Sequence, residues 1–164
     1  VEHIIPRSLG NMHYILAKGI VCGRCNSRFA QFENLVLTSD VFIEERRRLG
    51  LLRPGYDVVG SPLETSFMKR FLLKMAYESL YKSKRKLWTR SDLEHIRQNL
   101  LLGTDSTRVR AISGEIACHY RDIPSWIDRF RLKNNGLRLQ YAEDGPRLYF
   151  RFTFGRIVAG LRIA

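Results

Sequence analysis

The chain has 164 residues, 45% of them hydrophobic, and carries 28 Lys and Arg against 16 Asp and Glu, a formal net charge of +12. Such a chain buries a core in one domain, or in a small motif plus one domain, and with no run of about 18 apolar residues and no signal peptide it is not expected to span or cross a membrane. The basic excess favours a nucleic-acid partner held through counterion release, and three cysteines, two of them closely spaced, suit a reducing compartment such as the cytoplasm better than a disulfide scaffold.

The first predicted element is a short strand opening on Glu2 and His3 in a Glu-His-Ile-Ile-Pro run. Proline has no N–H for a ladder and biases the residue before it toward extended or turn backbone, so the strand should end near Ile5. Gly10 to Lys18 reads as a loop and Gly19 to Cys22 as a second short strand. From about Arg24 to Leu37 the pattern is helical, with Phe29, Phe32 and Val36 at i, i+3 and i+7 as a buried stripe. This helix opens in a Cys22-Gly23-Arg24-Cys25-Asn26 run that places Asn26 23 residues after His3.

Each piece alone has an ordinary reading. A Glu-His pair is commonly a surface or core pair, Cys-x-x-Cys at a helix start also resembles a redox dithiol, and Asn favours helix N-termini. Together, at this spacing, they resemble the HNH, or ββα-metal, endonucleases of the type with a Cys-x-x-Cys-Asn motif. The resemblance covers residues 1 to about 38. It implies strand, loop, strand, helix, and hydrolysis of DNA phosphodiester bonds to leave 5′-phosphate ends. Carried over by position, it implies His3 as general base, Glu2 as a metal ligand and Asn26 as the catalytic, helix-borne metal ligand.

The residue types suit that chemistry. An imidazole with an unperturbed pKa of about 6.5 is available as a base near neutrality. One carboxylate and one amide oxygen match the sparse, hard ligand set that Mg²⁺ or Mn²⁺ accepts when substrate and water complete the shell. Arg7, Arg24 and Arg28 are the nearby candidates for neutralising phosphate.

Two features leave the family pattern incomplete. The middle Asn that orients the His loop has no clear equivalent, since Ala17 and Lys18 occupy its region and Asn11 and His13 are only stand-ins. Cys22 and Cys25 supply half of a structural Zn²⁺ site, because such sites are almost always four-coordinate. The missing thiolates are expected upstream, in a nuclease core truncated at its N-terminus. Cys118 and His119 would serve only if the second half folds back.

After the motif, Ser39 and Asp40 start a helix to about Leu49, with Gly50 as its stop. Arg53-Pro54-Gly55 and Gly60-Ser61-Pro62 punctuate a loop, with the best internal boundary near residue 60. Residues 63 to about 82 form the longest helical pattern, its wide apolar face built on Phe67, Phe71 and Met75. The basic run that follows, with Lys84, Arg85 and Lys86, then Trp88, reads either as a solvated helix end or as a phosphate-contacting knob. Ser91 and Glu94 form a capping-box pattern for a helix to about Leu102.

The period then becomes two. Leu137, Leu139 and Tyr141, then Leu148, Phe150, Phe152 and Phe154, then Ile157, Ala159, Leu161 and Ile163 alternate with polar residues, and Asp144-Gly145 marks a hairpin. The expectation is an antiparallel meander with an apolar face against helices and an outer face of arginines, Arg156 and Arg162 among them.

The fold class is therefore α+β: a ββα-metal core over residues 1–38, then a helical and β-meander region over 39–164 whose role the sequence does not reveal. The expected activity is metal-dependent DNA cleavage. The rival expectation is a non-catalytic nucleic-acid-binding module on a degenerate HNH fold.

Overall fold

The structure, a computed structural model, describes residues 2–53, 55, 58–89, 91–94, 96, 100, 117–120 and 136–163. In chain order the elements are β1 (Glu2–His3), a 3-10 turn (Arg7–Leu9), β2 (Ile15–Leu16), α1 (Gly23–Leu37), α2 (Asp40–Arg48), α3 (Thr65–Ser83) and a single turn α4 (Arg85–Trp88). A 3-10 turn at Ser91–Leu93 follows, then β3 (Ala117–Tyr120), β4 (Arg138–Asp144), β5 (Arg147–Phe154) and β6 (Ile157–Arg162). The chain is α+β, as expected from the change of period. Among the described residues no helix is long and apolar enough to cross a membrane.

β1 and β2 pair antiparallel, Glu2 with Leu16 and His3 with Ile15. The second strand thus lies earlier than the Gly19–Cys22 expected from sequence. The Asn11 side chain closes the loop early, accepting from the N–H groups of His13 at 3.0 Å and Tyr14 at 2.8 Å, so pairing resumes at Ile15. Gly19, at φ +92°, then turns the chain toward α1 through a left-handed conformation that a side chain would resist. Cys22 is the N-cap of that helix.

α1 buries Phe29, Phe32, Val36 and Leu37, the expected stripe. Ser39 precedes α2, but its hydroxyl donates back to the Val36 carbonyl at 2.6 Å and makes no cap bond. The loop after α2 returns so that Asp40 N–H donates to Ser61 O at 2.8 Å. α3 runs almost as the periodicity predicts. It breaks at Lys84, φ −140° and ψ 61°, so the basic run straddles a kink into α4 and does not continue α3. Of the helix expected from Ser91 to Leu102, the described part begins as a 3-10 turn; residues 95, 97–99 and 101–102 lie outside the described residues.

The C-terminal sheet is antiparallel in the order β3-β6-β5-β4. The first hairpin turns one residue later than the Asp-Gly signal suggests: Asp144 pairs with Arg147, and Gly145-Pro146 forms the loop with Gly145 at φ +57°. Leu148, Phe150, Phe152 and Phe154 of β5 are at most 1% exposed. They meet the helices through rings: Phe42 stacks on Phe154 at 6.1 Å, and Phe71 meets Phe152 edge-on at 5.9 Å. Ile4, Ile5 and Leu9 of the N-terminal segment belong to the same contiguous core as α1, α3 and this sheet.

The outer face keeps Arg138, Arg151 and Arg162 exposed, whereas Arg156 leaves it. Arg156 sits in the β5–β6 turn and donates its backbone N–H and Nε to the fully buried Glu45 of α2, at 2.7 and 2.9 Å. Arg48 Nε donates to the same carboxylate at 3.0 Å. Burial would raise the Glu45 pKa, but Arg48 and Arg156 outweigh it and hold the carboxyl below its usual range.

Candidate active site

β1 is only two residues long, and so is its pairing with β2. A two-stranded ribbon of that length is marginal alone, so its position must come from elsewhere. Burial of Ile4, Ile5 and Leu9 supplies part of it, and two polar side chains add to that. Asn11, 1% exposed, donates Nδ2 to the carbonyls of Ile5 at 2.5 Å and Tyr14 at 3.0 Å, while its Oδ1 takes the two N–H groups already described. One amide thereby joins the chain leaving β1 to the chain entering β2. Of the residues weighed for the middle Asn, Asn11 is the one with loop-orienting contacts.

The second is Lys74 of α3, whose side chain is wholly buried. Its ammonium donates to His3 O at 2.7 Å and Glu2 Oε1 at 3.1 Å, and lies 2.8 Å from Glu33 Oε1 and 3.2 Å from Glu78 Oε2. Burial alone would lower its pKa, but Glu78, Glu33 and Glu2 outweigh that and hold it above the ordinary lysine range. Burial pushes Glu78 up to about 8, against the pull of Lys74. The neighbouring Glu2 and Glu33 carboxylates act in the same direction as burial, against the charged form of Glu78.

Glu2 and His3 are both half-buried on β1. The His3 Nδ1 atom is buried and makes no hydrogen bond among the described residues. Asn26 is exposed in the first turn of α1, its N–H bonded to Cys22 O at 2.9 Å. No hydrogen bond joins its side chain to Glu2 or His3; the link from α1 to β1 runs two turns further on, through Glu33 and Lys74.

Cys22 and Cys25 lie side by side at the helix start, Sγ to Sγ 2.8 Å, with the Cys25 N–H donating to Cys22 Sγ at 3.2 Å. The sulfur–sulfur hydrogen bond with Cys25, then that backbone N–H, lower the Cys22 pKa, and the same sulfur contact raises that of Cys25. A thiolate-stabilising N–H and a solvent-facing position suit a zinc ligand. The sulfurs would need to open from 2.8 Å to roughly 3.8 Å to sit on one tetrahedral ion with Zn–S bonds of about 2.3 Å. The backbone of Cys118 and His119 lies in β3, paired with Ala159 and Val158 of β6, and their side chains lie outside the described residues. Among the described residues no group of three or more His, Cys, Asp or Glu is arranged to hold a metal ion.

The candidate phosphate contacts divide. Arg7, Arg24 and Arg28 are exposed around the motif. Lys84 lies 3.8 Å from Glu143 and over the Tyr141 ring, Arg85 covers Tyr81, and Lys86 is exposed. Trp88 is half-buried, packed against Tyr81 at 5.1 Å and Tyr77 at 5.6 Å, so only part of its ring is open for stacking. Lys82 ties this basic segment to the motif by donating to His13 O at 2.9 Å. Comparison of the chain with protein-family models, curated proteins and solved structures gave no match.

Proposed function

We propose that the chain is a metal-dependent endonuclease that hydrolyses phosphodiester bonds of DNA, with His3 as general base. The observation that carries this reading is the order and pairing of the motif: Glu2 and His3 on a strand paired to β2, followed by α1 with Cys22, Cys25 and Asn26 at its first turn. The buried, loop-bracing Asn11 supports it.

In this reading His3 takes a proton from water as the oxygen attacks phosphorus. The P–O3′ bond breaks, the departing 3′ oxygen is protonated from solvent, and the other product keeps a 5′-phosphate. Glu2 and Asn26 fit the two-ligand, hard-oxygen shell of Mg²⁺ or Mn²⁺. Lys74 engages one oxygen of Glu2, and a carboxylate has acceptor capacity for a second, monodentate contact. A divalent ion held there would supply positive charge to the phosphate oxygens. Cys22 and Cys25 would give half of a structural Zn²⁺ site.

One observation favours the second reading, a DNA-binding module without catalysis: Glu2 is already charge-paired by Lys74. Incubating the chain with supercoiled plasmid and Mg²⁺ or Mn²⁺, beside His3→Ala and an EDTA control, separates the two. Nicking that disappears in both controls is expected. Binding without nicking would replace the nuclease reading by the module.

A further inference from the structure

Resting on the nuclease reading, we propose that Lys74 is a positioning residue: its ammonium sets the Glu2 carboxylate and the His3 backbone of β1 against α1 and α3. It thereby makes α3, outside the motif, a working part of the site.

The geometry is that of a tether. A lysine ammonium has three N–H donors, and here four oxygens from three elements converge on it: His3 O at 2.7 Å and Glu2 at 3.1 Å from β1, Glu33 at 2.8 Å from α1, and Glu78 at 3.2 Å from α3 itself. Glu2 and His3 are neighbours on β1, which ends at His3 and bends at Ile4 and Ile5. Fixing the Glu2 side chain and the His3 carbonyl together removes rotation of β1 about its own axis, and that rotation sets the direction of the imidazole. Backbone pairing of two residues with two cannot provide this alone.

The choice of Glu33 matters. It follows Asn26 by seven residues, close to two full helical turns, so both lie along one side of α1. Holding Glu33 and Glu2 on one ammonium therefore fixes the strand bearing the base relative to the helix bearing the second ligand. Lys82, two turns along α3 from Lys74, repeats the device on the other arm by donating to His13 O at 2.9 Å. A buried ion cluster is a poor source of stability, because desolvation offsets its attraction, and its best use is to define one arrangement.

The test uses the full chain with Lys74→Met and Lys74→Arg, Lys82→Met for comparison, and circular dichroism to verify folding. Two readouts are taken: Mg²⁺-dependent plasmid nicking with its Mg²⁺ requirement, and the ¹H–¹⁵N resonances of the His3 ring, assigned with His3→Ala. Lys74→Met is expected to lower nicking about 10- to 100-fold, the range for residues that orient a metal or base from behind, while DNA affinity is kept and the His3 ring signals move. Lys74→Arg keeps the charge in the wrong shape; it should fold, shift the same signals less, and recover part of the activity. If Lys74→Met does not fold, Lys74→Arg alone decides. Folded variants with unmoved His3 signals overturn the tether, whatever the nicking. Moved His3 signals in a protein that never nicks DNA would refute the nuclease reading and leave the tether standing.

Discussion

Asn11→Ala is the sharpest single perturbation of the motif. The side chain is 1% exposed and makes four hydrogen bonds, two as donor to Ile5 O and Tyr14 O and two as acceptor from His13 N and Tyr14 N. A buried hydrogen bond contributes about 1 kcal/mol net, and a backbone group left unpaired costs about 1–3 kcal/mol. Four such bonds come to about 4 kcal/mol, and more if every freed backbone group stayed dry. His13 is exposed and Tyr14 half-buried, so water reaches part of the loop and lowers the expected loss to roughly 2–4 kcal/mol. Asn11→Asp separates the roles: both acceptor bonds survive, but the carbonyls of Ile5 and Tyr14 lose their donor and face a carboxylate. Urea unfolding of both variants gives the stability, and plasmid nicking with DNA binding gives the function. Both should lose more nicking than binding, since the loop sets the direction of His3. An Asn11→Ala protein within about 0.5 kcal/mol of wild type and equally active would refute the reasoning.

Glu45→Ala should cost about 2–3 kcal/mol by removing the carboxylate that Arg48 and Arg156 share, both arginines being partly open to water, and Gly155→Ala should also destabilise, because at φ +53° its new Cβ would collide with the Glu45 carboxylate. Since the Glu45 pKa is lowered, its contribution is present above the ordinary value of 4.5 and fades as pH falls through the lowered value; Glu45→Gln should flatten the acid limb of a stability-versus-pH curve. Glu78 runs the other way: raised from 4.5 to about 8, its contribution is full below 4.5 and declines as pH climbs to 8, so denaturation at pH 5, 7 and 9 should show Glu78→Gln losing that slope. Replacing Lys84, Arg85 and Lys86 by Gln should lower the salt dependence of DNA binding by about 0.9 per lost phosphate contact, measured by fluorescence anisotropy across a KCl series; an unchanged slope would mark the run as a solvated helix end.

Local sequence patterns specify much of the fold. The α1 stripe at Phe29, Phe32 and Val36 and the alternation from Leu148 to Phe154 follow from one period each, and both are buried as those periods demand. Errors arose where a side chain rather than a pattern sets the backbone. Asn11 advances β2 by closing its loop, and Glu45 draws Arg156 off the sheet face. The second is not visible from spacing, because the partner of Glu45 in the β5–β6 turn lies more than 100 residues away.

The same limit applies at the candidate site. Glu2, His3 and Asn26 are legible because residue type and spacing restrict their chemistry, whereas Lys74 is 71 residues from the carbonyl it holds. A usable signal did exist. Lys74 and Glu78 fall on the apolar side of α3, three residues after Phe71 and three after Met75, where a charge must find compensation or destabilise the helix. Two opposite charges four residues apart inside such a stripe therefore announce a buried ionic site, though not its partners. Finding Glu2 among those partners makes the acidic residue of the motif answer to two demands, the ammonium behind it and the hard cation that the nuclease reading places before it.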